Sequence, residues 1–142
     1  MMTRELVRPR IAVIDDDAVF VELMCDLLAG GEGYEVVSSP HWAQSLDLVR
    51  ETQPRLVILD LMMGREQTGW AVIDLLRHDP LTAHIPIILC SAAAPALSKH
   101  RQQLSEQGAI ETLPKPFDVD HLLEVIERLL AQSARVACPS CT

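Results

Sequence analysis

The chain has 142 residues, 49% of them hydrophobic and 23% charged, with a formal net charge of -8. That length fits one domain around one core, and the acidic balance argues against a phosphate-backbone partner, so no direct nucleic acid binding is expected. No apolar run approaches the roughly 20 residues that cross a bilayer, and residues 1–9 carry basic groups with no apolar stretch after them, so neither a membrane span nor a signal peptide is expected and the compartment reads as cytoplasmic.

Residues 11–14 make a short apolar run that ends on Asp15, Asp16 and Asp17, as a buried strand would at its carboxyl end. Phe20, Leu23, Met24, Leu27 and Leu28 then recur at helical spacing and predict one inner face, stopped by Gly30, Gly31 and Gly33. Residues 34–37 read as a strand of alternating polarity. Trp42, Ala43, Leu46 and Val49 mark the inner face of a second helix, closed before Pro54. Leu56 to Leu59 are apolar without a break and stop on Asp60, too short a run for a helix and right for a strand buried on both faces. A loop with Gly64 and Gly69 leads to a third helix marked by Trp70, Ile73 and Leu76, which Asp79 and Pro80 end.

Residues 85–90 predict a further apolar strand, with Pro86 tolerable near its start, running into Ser91. The stretch 96–107 is weakly amphipathic, a fourth helix with Leu97 and Leu104 as anchors and Gly108 as its breaker. Residues 109–113 read as the last strand. After the turn Pro114, Lys115, Pro116, Phe117, Asp118 can cap a final helix whose stripe is Leu122, Leu123, Ile126, Leu129 and Leu130. From about Ser133 a loose tail is expected, so a domain over 9–132 and a flexible tail over 133–142. Cys25 and Cys90 read as small core residues. Cys138 and Cys141 lack a second ligand pair and read as tail. The five histidines have no metal spacing and read as surface.

Strands alternating with helices predict an α/β fold with a parallel sheet and helices on both faces. The strands at 11–14, 56–60 and 85–90 are almost wholly apolar and should be central. The other two carry Glu35 and the pair Glu111, Thr112 and should be edges. The flavodoxin-like doubly wound (βα)5 order 2-1-3-4-5 satisfies both conditions. Asp15, Asp16, Asp60, Ser91 and Lys115 then arrive at one carboxyl edge. Three crowded carboxylates call for a hard divalent cation, and all-oxygen ligation favours Mg2+. With that cation and the lysine the crevice is formally neutral and shaped for an anion, with a carboxylate available as nucleophile.

In these residues, Asp15-Asp16, Asp60, Ser91 and Lys115-Pro116-Phe117 at successive strand ends, the chain resembles the receiver domain of two-component response regulators, in the single-domain, chemotaxis-regulator-like form. The resemblance implies that Asp60 accepts a phosphoryl group from a sensor histidine kinase or histidine phosphotransfer protein. It implies Mg2+ held by Asp16 and Asp60, by Asp15 through water, and by the backbone carbonyl of Met62. Ser91 would bind a phosphoryl oxygen and Lys115 would pair with the phosphate. Such a chain catalyses only its own phosphorylation and dephosphorylation. It would signal by protein contact through the fourth helix, fifth strand and fifth helix, as a monomer or a phosphorylation-dependent homodimer, to a downstream protein the sequence does not name. Three departures stand out: Thr112 where the family often has an aromatic, a loop over 62–69 that is longer than usual by about one residue and lacks the usual proline, and Pro114 ahead of Lys115. Two rival readings share the residues: a receiver-fold binding module independent of phosphorylation, and a haloacid-dehalogenase-type phosphatase with Asp15 as nucleophile and Asp17 as acid/base, which leaves Asp60 idle.

Overall fold

The computed structural model describes residues 8–39, 41, 44–60, 69–91, 110–114 and 118–137, with backbone alone at 69, 70, 91, 114 and 133–137. Five strands, β1 (Arg10–Ile14), β2 (Glu35–Ser39), β3 (Leu56–Asp60), β4 (Ile87–Ser91) and β5 (Ile110–Pro114), form one sheet. Their order is β2-β1-β3-β4-β5, and every neighbouring pair is parallel. The doubly wound order read from strand composition is therefore the observed one, with the two polar strands at the edges.

Four helices cover the sheet among the described residues: α1 (Ala18–Cys25), α2 (Ser45–Thr52), α3 (Gly69–His78) and α4 (Val119–Ala137). The fourth helix expected over 96–107, and Trp42 and Ala43 of the second, lie outside them. Alternate strand residues go to opposite faces. Ala12, Ile14, Val57, Leu59, Ile87 and Leu89 pack with Val49 of α2 and with Val72, Ile73 and Leu76 of α3. Ile11, Val13, Leu56, Ile58, Ile88 and Leu113 pack with Met24 of α1 and with Leu122, Val125, Ile126 and Leu129 of α4. Both faces of the three central strands are thus covered, which is why those strands read as unbroken apolar runs. Truncating one such buried branched side chain to Ala costs about 2–5 kcal/mol in comparable cores. That sum of side chains, more than any one hydrogen bond, holds the register that aims the strand ends.

Several expectations shift in detail. Leu23 is 59% exposed, because it lies a helical step of about 100° from Met24 while Phe20 and Leu27 fill the flank of the stripe. The helix does not stop at Gly30: α1 passes into a π-helical turn over Asp26–Gly31, closed by the Tyr34 N–H donating to the Leu28 carbonyl at 2.9 Å. Gly33 then takes φ +77°, a left-handed conformation that favours glycine. β4 begins at Ile87 and not at residue 85, since Pro86 has no N–H for the ladder; its carbonyl still accepts from Val57 N at 3.0 Å. α4 runs on to Ala137, into the stretch expected to be loose, because residues 131–137 contain no helix breaker before Pro139.

Candidate functional site

All strands being parallel, their carboxyl ends share one edge, and Asp15 and Asp60 arrive there from the neighbours β1 and β3. Asp60 ends β3 in register with Cys90 of β4, so a residue of poor strand propensity sits where the ladder finishes. Asp15 follows directly on Ile14. Its N–H donates to the Ser39 carbonyl at 3.3 Å, one rung beyond the last strand pair. Its Oδ1 accepts the Asp17 N–H at 2.9 Å. The chain then turns into α1 through Asp17, whose Oδ1 accepts from Val19 N at 3.0 Å and Phe20 N at 3.3 Å. Asp17 is the N-cap, in extended conformation with φ -84° and ψ 103°.

Carboxylate oxygens of Asp15, Asp16 and Asp60 all lie within 4.8 Å of one another. Asp15 is 1% exposed and Asp60 8%, whereas Asp16 faces solvent. Three like charges this close, two of them withdrawn from water, repel strongly unless a cation joins them. An oxygen-only donor set of this kind fits a hard divalent ion such as Mg2+ and suits soft or nitrogen-preferring metals poorly. The structure thus brings together three of the residues singled out by sequence. Ser91 is placed by its backbone as the last residue of β4, opposite Pro114 of β5, at the same edge. Lys115, next after Pro114, and Met62 lie outside the described residues. Asp17, the acid/base of the phosphatase reading, has its carboxylate on the helix cap and is not in the cluster.

Sequence reasoning overlooked a group of hydroxyls beside the cluster. Ser39 is 4% exposed and Ser45 fully buried. Ser39 Oγ donates to the His41 carbonyl at 3.0 Å and accepts the His41 N–H at 3.3 Å. Ser45 Oγ donates to that same carbonyl at 3.0 Å, and so does Gln44 N at 3.2 Å. The signal available was the Ser38-Ser39-Pro40 sequence, which marks a turn held by a side-chain hydroxyl.

Comparison with known proteins agrees with this fold. The family model of the response regulator receiver domain matches residues 11–127. The chain belongs to that family, as a receiver domain of two-component signalling. It is 34% identical over 128 residues to the DNA-binding dual master transcriptional regulator RpaA of Synechocystis sp., covering 90% of this chain and 52% of that protein. It is 27% identical over 123 residues to the polar-differentiation response regulator DivK of Brucella anthropi, covering 87% of this chain and 97% of that one. Among solved structures, a response regulator from Desulfuromonas acetoxidans superposes with TM-score 0.73 at 26% identity, covering 87% of this chain and 98% of that chain. The chain therefore spans about half the length of one curated relative, 52%, and nearly all of another, 97%. Response regulators interact with histidine kinases or phosphotransfer proteins. No helix among the described residues is long and apolar enough to cross a membrane.

Proposed function

We propose that this receiver takes a phosphoryl group onto Asp60 and signals the change by protein contact. The convergence of the Asp15, Asp16 and Asp60 carboxylates within 4.8 Å at the carboxyl edge of a receiver fold carries the reading. Asp16 and Asp60 would hold Mg2+ directly and Asp15 through water, with the backbone carbonyl of Met62 as a further ligand. A cation held by these residues would offset the carboxylate charge and that of an incoming phosphoryl group. In the transfer, a carboxylate oxygen of Asp60 forms the new P–O bond. The P–N bond to the donor histidine breaks, and its electron pair stays on the imidazole, which takes up a proton. Ser91 donates its hydroxyl to a phosphoryl oxygen, and Lys115 offers a compact positive charge.

Phosphorylation takes the Asp60 side chain from one negative charge to about two. A site balanced for the bare carboxylate has then to rearrange, and the readout would pass through the fourth helix expected over 96–107, with β5 and α4. A kinase or phosphotransfer protein must bring its histidine to Asp60. α1 starts at the rim of the crevice and presents Val19, 75% exposed, and Leu23, 59% exposed, a suitable apolar seat for that donor. The reading carries a cytoplasmic location and either a monomer or a phosphorylation-dependent homodimer.

The test is intact mass after incubation with acetyl phosphate, and with a phosphorylated histidine phosphotransfer protein, each with and without Mg2+. Wild type should gain one phosphoryl group only with Mg2+, and Asp60→Asn should gain none. No gain from either donor overturns the proposal in favour of a receiver-fold binding module.

A further inference from the structure

We infer that Ser39 and Ser45 are positioning residues for the acidic crevice, setting its affinity for Mg2+ through the backbone of Asp15. The inference rests on the reading of Asp15, Asp16 and Asp60 as a Mg2+ site. The geometry forms one continuous path. Ser45, in the first turn of α2, holds the His41 carbonyl at 3.0 Å. Ser39 holds both polar groups of the His41 backbone, donating at 3.0 Å and accepting at 3.3 Å. The Ser39 carbonyl, fixed by that turn, accepts the Asp15 N–H at 3.3 Å. Asp15 brings its carboxylate to those of Asp16 and Asp60. Its Oδ1 is steadied from the other side by Asp17 N at 2.9 Å.

The two hydroxyls and Asp15 are enclosed, although His41, which both serines hold, is exposed. Ser39, Ser45 and Asp15 are each under 5% exposed, so water does not readily replace a lost hydroxyl, and the groups it served are left unsatisfied. Asp15 N lies one residue past the end of β1, and its bond to the Ser39 carbonyl at 3.3 Å extends the pairing of β1 with β2. The Ser39 carbonyl is therefore what continues the sheet to the first carboxylate. Loosening that rung spreads the oxygens that a cation needs at fixed separations, and groups that orient metal ligands from behind typically change affinity about 10–100-fold when removed.

The test measures Mg2+ uptake by calorimetry and by amide chemical shifts, with Mg2+ alone as the probe. Ser39→Ala and Ser45→Ala should each raise the Mg2+ concentration for half saturation by about tenfold, while full saturation is still reached. Ser39→Thr, which keeps the hydroxyl, should stay near wild type. Thr82→Ala is the control for a purely structural loss: Thr82 is equally buried, its Oγ1 donates to the Leu76 carbonyl at 2.6 Å, and it lies in the α3–β4 connection away from the crevice. It should lose stability without moving the Mg2+ midpoint. If an alanine variant does not fold, Ser45→Cys keeps the volume, weakens the donor and should show the same shift. Wild type that takes up no Mg2+ overturns the acidic-site reading and this inference together. Uptake that is equal in wild type and in the serine variants overturns this inference alone.

Discussion

Asp15, Asp16 and Asp17 are consecutive acids in three different surroundings. The first is enclosed, the second is exposed and in the cluster, and the third caps α1. Sequence alone leaves the triplet ambiguous between an acidic turn and a cation site, because capping and metal binding ask for the same side chain. The structure divides the roles among neighbours. Tyr34 offers a residue-scale test away from the crevice. Burial first, and then the carboxylates of Glu127 and Glu32, push its phenol up from the ordinary tyrosine value. The folded state therefore holds that proton more tightly than the unfolded chain. Tyr34 contributes stability that is complete below about pH 10 and is lost as the pH rises from there through the folded value. Alkaline unfolding followed by circular dichroism should fall less steeply in Tyr34→Phe than in wild type, and equal slopes would refute the assignment. Cys25 follows the same logic: burial, then Asp26 and Glu22, raise its thiol, so it stays protonated and inert at neutral pH.

At the scale of elements, β3 and β4 were legible because an unbroken apolar run too brief for a helix fits little besides a buried strand. Helix ends were less so. α2 closes on Gln53 with φ 47° and ψ 59°, a left-handed cap on a residue that carries a Cβ. The Gln53 N–H donates to the Val49 carbonyl at 2.9 Å, which holds it there. Glycine at this place avoids a cost of about 1–2 kcal/mol but restores about 0.4–1 kcal/mol of freedom to the unfolded chain. Gln53→Gly should therefore raise stability in urea by up to about 1 kcal/mol, and a clear loss would show that the side-chain bond from Nε2 to the Arg50 carbonyl at 3.0 Å matters more. Sequence pointed to Pro54 as the stop and missed the cap, because glutamine carries no signal for positive φ. Val125 was likewise absent from the predicted stripe of α4, though it is buried. It lies between Leu122 and Leu129 at the same helical spacing and widens the face that packs on the sheet.

For the molecule as a whole, an acidic chain of net charge -8 places three carboxylates at the end of its central strands and works against its own compactness there. A cation that binds only the folded form stabilises it by mass action, about 2.7 kcal/mol at a hundredfold excess over Kd. The thermal midpoint of wild type should rise with Mg2+, and that of Asp16→Asn should rise less. In chelator, Asp16→Asn should be at least as stable as wild type, since one like charge is gone. A variant that still gains the full Mg2+ shift would remove Asp16 from the ligand set. The sheet order was readable at this scale because polarity sorts strands into centre and edge. The hydroxyl path behind Asp15 was not, since it joins residues that no periodicity links.

The π-helical turn over Asp26–Gly31 has a consequence for comparing this chain with its relatives. A wide turn uses one residue more than an α-helical turn of the same rise. A relative whose first helix ends in ordinary turns is one residue shorter there, even when Met24 and Glu35 overlay their counterparts. Numbering carried by simple counting then slips by one between those points, and the gap in a sound alignment belongs inside the helix, where gaps are usually penalised. Equivalent positions on the two sides of that turn have to be matched by their place in space.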